Sequence, residues 1–263
     1  MIEFFDKTPL TKPLIFDTHA HYEDEVFNEI RHTMFTNFEN HGVGRVLTCG
    51  CDKNSSEKAL EMAKTHDFVY AAVGIHPGNL DSKTTVLEIE ELANHEKCVA
   101  IGEIGLDYYW TQDNKTEQKE VFIAQIELAK KLGLPVIVHD RDAHADCLEI
   151  LKKHKPKGVV HSYSGSVEMA EELLKLDMYF GIGGVITFKN AKKLPDVVKM
   201  LPEDKILLET DAPYLSPVPY RGKVNNSALI YLTAEKIAEI RNTTTEHILN
   251  VTFNNAKKLF GTK

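Results

Sequence analysis

Short apolar, β-branched runs alternate along the whole chain with longer segments whose apolar residues recur at helical spacing. The runs fall at residues 14–18, 45–49, 68–73, 98–103, 135–139, 158–162, 178–183 and 205–209, and continuous apolar runs of this length read as strands buried on both faces. The helical pattern is clearest at 116–132, where Val121, Ile123, Ile126, Leu128 and Leu132 lie near helical spacing and Gly133 supplies a stop. Strand and helix in eightfold alternation predict a (β/α)8 TIM barrel with parallel strands, a doubly wound open sheet being the competing architecture. Two extra C-terminal helices are expected at 227–240 and 245–260, after a polar loop at 216–226 containing Pro217, Pro219 and Gly222. No fixed-period repeat or Pro/Gly/Ser-rich linker interrupts the pattern, so residues 1–263 read as a single domain.

Composition narrows the functional classes. With 263 residues and 43% hydrophobic content, the chain can bury the core of one barrel. A formal net charge of −8 argues against a broad basic surface holding nucleic acid through many phosphates, so any phosphate substrate must be met locally. Cys49, Cys51, Cys98 and Cys147 show neither CxxC spacing nor the density of a disulfide scaffold, and read as free thiols in a reducing compartment. Residues 1–13 mix Glu3, Asp6 and Lys7 with short apolar stretches, lacking a signal-peptide core or a membrane span. The expected location is the cytoplasm.

The candidate chemistry sits at strand ends. In a (β/α)8 barrel, active sites occupy the C-terminal ends of the strands, where residues distant in sequence converge. His19 and His21 end the first strand, Glu103 the fourth, His139 the fifth and His161 the sixth, while Asp211 follows the eighth. Alternation puts Ile137 on the face of His139, Val159 on that of His161, and Leu207 on that of Glu209 and Asp211. Any one of these residues has an ordinary structural reading: a salt-bridged turn at His139-Asp140-Arg141-Asp142, or a helix cap by Ser164 or Ser166 after His161. Six of them at the same end of one barrel point to metal. Four histidines and two carboxylates suffice for two divalent ions, with Glu103 as the bridging carboxylate because it offers two oxygens.

The motifs Asp17-Thr18-His19-Ala20-His21, Gly74-Ile75-His76-Pro77, Gly102-Glu103-Ile104-Gly105-Leu106-Asp107-Tyr108, Val138-His139-Asp140-Arg141, His161-Ser162-Tyr163-Ser164-Gly165 and Glu209-Thr210-Asp211-Ala212-Pro213-Tyr214-Leu215 run in order over nearly the whole chain. Together they resemble the TatD family of metal-dependent deoxyribonucleases, within the amidohydrolase-like barrels. The resemblance implies a TIM barrel, divalent ions, hydrolysis of DNA, often from the 3′ end, and His19, His21, Glu103, His139, His161 and Asp211 as ligands. It also favours Arg141 and His76 as donors to the phosphate. The family often continues its last motif as Arg-Gly-Lys-x-Asn-Glu-Pro, whereas here Arg221-Gly222-Lys223-Val224-Asn225 is followed by Asn226-Ser227. The stretch before Asp17 is also longer than the family's usual start.

Two divalent ions would activate water and hold the scissile phosphate, with Asp211 orienting or deprotonating that water. Lys189, Lys192 and Lys193 after the seventh strand, and Arg221 and Lys223 after the eighth, belong on the active-site face, where Arg221 is expected as a third substrate contact beside His76 and Arg141. Tyr108, Tyr109, Trp110, Tyr163 and Tyr214 near the mouth could stack on unpaired bases, so single-stranded or frayed 3′ ends are the expected substrate. Imidazole and carboxylate ligation suits Zn²⁺ or Mn²⁺ better than Mg²⁺, although the family is commonly Mg²⁺-supported, and the species stays open among the three. The alternatives are hydrolysis of an amide or ester, including the aminoacyl ester of tRNA, and a non-enzymatic metal-binding scaffold. Glu103 in place of a bridging lysine weakens the cyclic-amide reading.

Overall fold

The computed structural model describes residues 14–110 and 113–262; the N-terminal extension, residues 1–13, lies outside the described residues. Eight strands, β1 Ile15–Ala20, β2 Val43–Cys49, β3 Val69–Val73, β4 Cys98–Asp107, β5 Val136–Arg141, β6 Gly158–Val160, β7 Tyr179–Ile182 and β8 Ile206–Leu208, form one parallel sheet in sequential order. The described helices between and after them are α1 Arg31–Phe38, α2 Lys53–Thr65, α3 Val86–Ala93, α4 Lys115–Leu132, α5 His144–His154, α6 Val167–Leu174, α7 Leu194–Met200, α8 Ile230–Arg241 and α9 Thr245–Phe260. Just past β8 the chain returns to β1 through a parallel bridge between Ala20 and Ala212, where the His21 N–H donates to the Ala212 carbonyl at 2.7 Å. The sheet is thus a nearly closed (β/α)8 barrel, as the alternation of runs predicts.

The helix ends follow their local chemistry. Asp52, Thr85 and Ser166 accept from backbone N–H groups in the first turns of α2, α3 and α6, and Gly133 ends α4 with φ +70°, a left-handed cap that costs glycine little. Inside the barrel Leu47, Ala72, Ile137, Val159 and Leu207 pack together, with their strand neighbours turned toward the helices. The N-terminal end of the barrel is closed by α9, whose Phe253 and Phe260 rings lie 6.0 and 6.1 Å from that of Phe16. The expected terminal helices are present, residues 227–229 being a 3-10 turn that leads into α8. No described helix is long and apolar enough to cross a membrane.

A polar network ties the barrel seam together on the site side. The buried Asp17 carboxylate accepts from the Thr210 N–H at 3.0 Å, the Thr210 hydroxyl at 2.7 Å and the Ser227 hydroxyl at 2.7 Å. Ser227 in turn lies 2.7 Å from the Tyr22 hydroxyl, so β1, the end of β8 and the start of α8 are cross-linked at one point. A buried carboxylate with several donors holds its neighbours in one geometry, which here are His19, His21 and Asp211.

Candidate metal centre

The six candidate ligands converge at the C-terminal mouth, by two different routes. On β5 and β6 simple alternation suffices: Ile137 and Val159 point into the barrel, and His139 and His161 follow two residues later on the same face. On β1 and β4 alternation fails. Phe16 and Ala100 face the lumen, yet His19 and Glu103 lie three residues further on, an odd step. The pairing register shifts between Asp17 and Ala20 on β1, and between Ile101 and Ile104 on β4. Those irregularities turn His19 and Glu103 to the mouth, as a bulge re-aims a side chain. Asp211 has φ +58° and Ser162, next to His161, φ +45°, left-handed conformations that non-glycine residues adopt when their surroundings impose them.

Glu103 is the hub. Its Oε2 lies 3.3 Å from His19 Nε2 and 3.5 Å from His21 Nε2, and Asp211 Oδ1 is 3.5 Å from His21 Nε2. Its Oε1 lies 2.6 Å from His139 Nδ1 and 2.8 Å from His161 Nε2. One carboxylate therefore addresses two donor sets, one per oxygen.

Each histidine turns its other nitrogen away from that hub. His21 Nδ1 donates to the Cys49 carbonyl at 2.9 Å and sits 3.2 Å from Glu23 Oε1. His139 Nε2 faces Asp107 Oδ2 at 3.1 Å, His161 Nδ1 faces Glu209 Oε1 at 3.7 Å, and His19 Nδ1 meets the Cys49 sulfur at 3.5 Å. A proton on each outer nitrogen leaves a lone pair on each inner one, the tautomers a metal ligand needs. The inner nitrogens also crowd: His19 Nε2 and His21 Nε2 are 3.2 Å apart, and His139 Nδ1 and His161 Nε2 are 3.3 Å apart. Lone pairs at that spacing repel unless a cation lies between them. The donor set fits divalent ions of the zinc or manganese type.

Buried groups of opposite charge face one another across the site. Burial pushes the Glu103 carboxyl up, but His161 foremost, with the hydrogen bond from His139, outweighs it and holds it well below the usual carboxylate range. Burial also pushes His161 down, yet Glu103 and then Glu209 raise it well above the ordinary imidazole value. His139 is raised in the same way, against burial, by Asp107 and Glu103.

His76 behaves differently. The Gly78 N–H donates to its Nδ1 at 3.0 Å, so the ring proton is on Nε2, 3.6 Å from Glu103 Oε1. Burial pushes its pKa down to about 3, leaving a neutral ring. His76 thus presents an N–H to the cavity rather than a lone pair. Arg141 also lines this cavity of about 890 Å³, its guanidinium 4.0 Å from the Tyr109 ring and 5.4 Å from that of Trp110. Arg221, the third expected substrate contact, stacks 4.2 Å over Phe188 and is not among the residues lining the cavity.

Sequence reasoning overlooked the outer partners Glu23, Asp107 and Glu209, and Cys51, which lines the cavity 3.9 Å from His21 Nδ1. Asp107 and Glu209 stand inside the motifs and could have been singled out as acids two or four residues from a ligand. Glu23 needed the tertiary pairing, because it is held by the Thr48 hydroxyl of β2 at 2.5 Å.

A barrel with two imidazole pairs around one carboxylate at its mouth is the architecture of a metal-dependent hydrolase. The family model TatD related DNase matches residues 16–261, and the chain belongs to that family. It is 44% identical over 252 residues to the metal-dependent hydrolase YabD of Bacillus subtilis, covering 94% of this chain and 99% of the relative. It is 41% identical to the metal-dependent hydrolase YcfH of Escherichia coli over 203 residues, 76% of this chain and 77% of the relative. Among solved structures, that of YjjV, a TatD homologue from Escherichia coli, superposes with a TM-score of 0.88 at 32% identity, over 95% of this chain and 99% of that one.

Proposed function

We propose that this metal-dependent hydrolase cleaves DNA phosphodiester bonds, working from the 3′ end of single-stranded or frayed DNA. The observation that carries the reading is the pair of donor sets astride Glu103, suited to two divalent ions beneath one open cavity. Divalent ions bound there supply Lewis acidity, acidifying water and offsetting charge on the scissile phosphate. The chain's own residues do the rest. Asp211, kept ionised against the pull of burial by His21, His161 and His19, is the proton acceptor for the attacking water. Arg141 offers a bidentate fork to the phosphate oxygens, and His76 offers its neutral N–H.

The rim supports a single-stranded substrate. Trp110 is 70% exposed, Tyr109 54% and Tyr214 56%, a set of rings beside the metal centre on which unpaired bases can stack. An ester or amide hydrolase is the second reading. The cavity lining favours it, with seven carboxylates (Glu23, Asp24, Glu25, Asp52, Glu103, Asp107 and Asp211) against the cations Lys58 and Arg141. The test is cleavage of a 5′-labelled single-stranded oligonucleotide by metal-loaded protein, beside a blunt duplex, a chelator control and the Glu103→Ala and Asp211→Asn variants. A ladder shortening from the 3′ end, lost in the variants and with chelator and slower on the duplex, is the expected result. Metal uptake without cleavage of either DNA, together with turnover of a carboxylic ester, would replace this reading with the second.

A further inference from the structure

The mouth of the barrel is not uniformly charged. The metal cavity is lined from the loops after every strand except β7, and acids dominate it. A second cavity of about 440 Å³ adjoins it on the α2 side, sharing Glu23, Glu25 and Lys58, and adds Glu61 and Arg31. Arg31 is already committed to the carbonyls of Tyr22 and Asp24, at 2.6 and 3.0 Å. That exit repels a polyanion.

The missing β7 sector holds a separate pocket of about 340 Å³ between the β6 and β7 loops. Its polar lining is Ser162, Ser164, Asn190, Lys192 and Lys193, with no carboxylate. Ser162 directly follows the candidate ligand His161, so the pocket lining begins one residue along the chain from the metal centre. Among the described residues neither lysine is in an ion pair, the nearest acid acting on Lys193 being Glu168 at the start of α6, whereas Lys152, Lys175 and Lys205 elsewhere on the surface are each paired with an acid. With the screening length of about 8 Å at physiological salt, only charges this close to a strand's path act on it. The β6–β7 sector is where a polyanion leaving the metal centre gains attraction instead of repulsion.

We propose that the Lys192–Lys193 pocket is an anion subsite that takes a backbone phosphate of the DNA strand neighbouring the scissile one. The strand then leaves the metal centre over β6 and β7, its terminal nucleoside lying on the opposite side of the mouth by Trp110. The subsite rests on the nuclease reading of the metal centre, and deepens it by giving the substrate a direction and a second contact. It also explains how a protein of net charge −8 handles a polymer: one local pair of cations replaces a basic surface.

The test measures binding of a fluorescein-labelled single-stranded decanucleotide to metal-loaded Asp211→Asn protein, which holds the strand without cutting it, across a salt series. In that background Lys192→Ala/Lys193→Ala should weaken binding about fourfold at physiological salt and reduce the slope of log affinity against log salt by about 0.7, the value for one phosphate contact on a single strand. Lys192→Glu/Lys193→Glu should weaken it further, while Lys257→Ala/Lys258→Ala on α9, at the other end of the barrel, should leave affinity and slope unchanged. With Asp211 intact, the same lysine variants should lower the ratio of kcat/KM for the decanucleotide to that for bis(p-nitrophenyl) phosphate. A double alanine variant that matches the parent in affinity, slope and ratio, while the native protein cuts the decanucleotide, overturns the subsite alone. Native protein that neither binds nor cuts the decanucleotide yet hydrolyses the small diester overturns the polymer reading and the subsite with it.

Discussion

The two ends of this barrel are made from the same strands and solve opposite problems. At the N-terminal end Phe16, Phe253 and Phe260 close the lumen with aromatic packing. At the C-terminal end histidines and carboxylates are buried against one another, two strands break register, and Asp211 and Ser162 take left-handed backbone. Apolar closure stabilises the fold; the polar mouth buries imidazoles and carboxylates at a desolvation cost that their mutual pairing must offset. The difference separates residues whose loss unfolds the protein from residues whose loss silences it.

Substitutions at each end break this comparison most sharply. Glu103→Ala removes the oxygen donors common to both sets, so activity and metal affinity should both fall by more than the about 10–100-fold that an outer partner costs. Phe260→Ala should do the reverse, costing about 3 kcal/mol in denaturant unfolding with metal affinity nearly unchanged. If Phe260→Ala lowered metal affinity as much as Glu103→Ala, the two ends would not be separable.

A finer cut lies between ligands and their supports. Asp107→Asn leaves every inner nitrogen in place but loses the acceptor that holds the His139 Nε2 proton, so metal affinity should drop about 10–100-fold by calorimetry. The smallest effect is the pH response. His161 and His139 carry raised pKa values when metal-free, so each binding event must expel protons. Affinity should therefore weaken as pH falls below those values and tighten as it rises, with net proton release measurable in weakly buffered solution. Affinity independent of pH would place the metal away from these imidazoles.

Much of this was legible before the fold, for reasons that differ by element. The eight apolar runs mark the strands because a parallel barrel buries both faces, and their ends mark the ligands because the fold puts chemistry there. His139 and His161 follow from alternation alone. His19 and Glu103 were found as strand-end residues, but the register shifts that aim them are tertiary and leave no periodic trace. The expected fourth run ended at residue 103, whereas β4 continues to Asp107, which hid the acid that orients His139. Arg221 shows the converse limit: position after β8 put it on the correct face, while its packing on Phe188 depends on a loop whose course the pattern does not encode.

The most direct test of the central claim, that Glu103 joins two donor sets into one hydrolytic metal centre, is the number of Zn²⁺ or Mn²⁺ ions bound per chain. It should be measured by elemental analysis after dialysis, for the native protein and for Glu103→Gln. Two ions per native chain, falling to one or none in the variant with loss of hydrolysis, is the predicted result. Equal metal content and equal activity in the two proteins would contradict it.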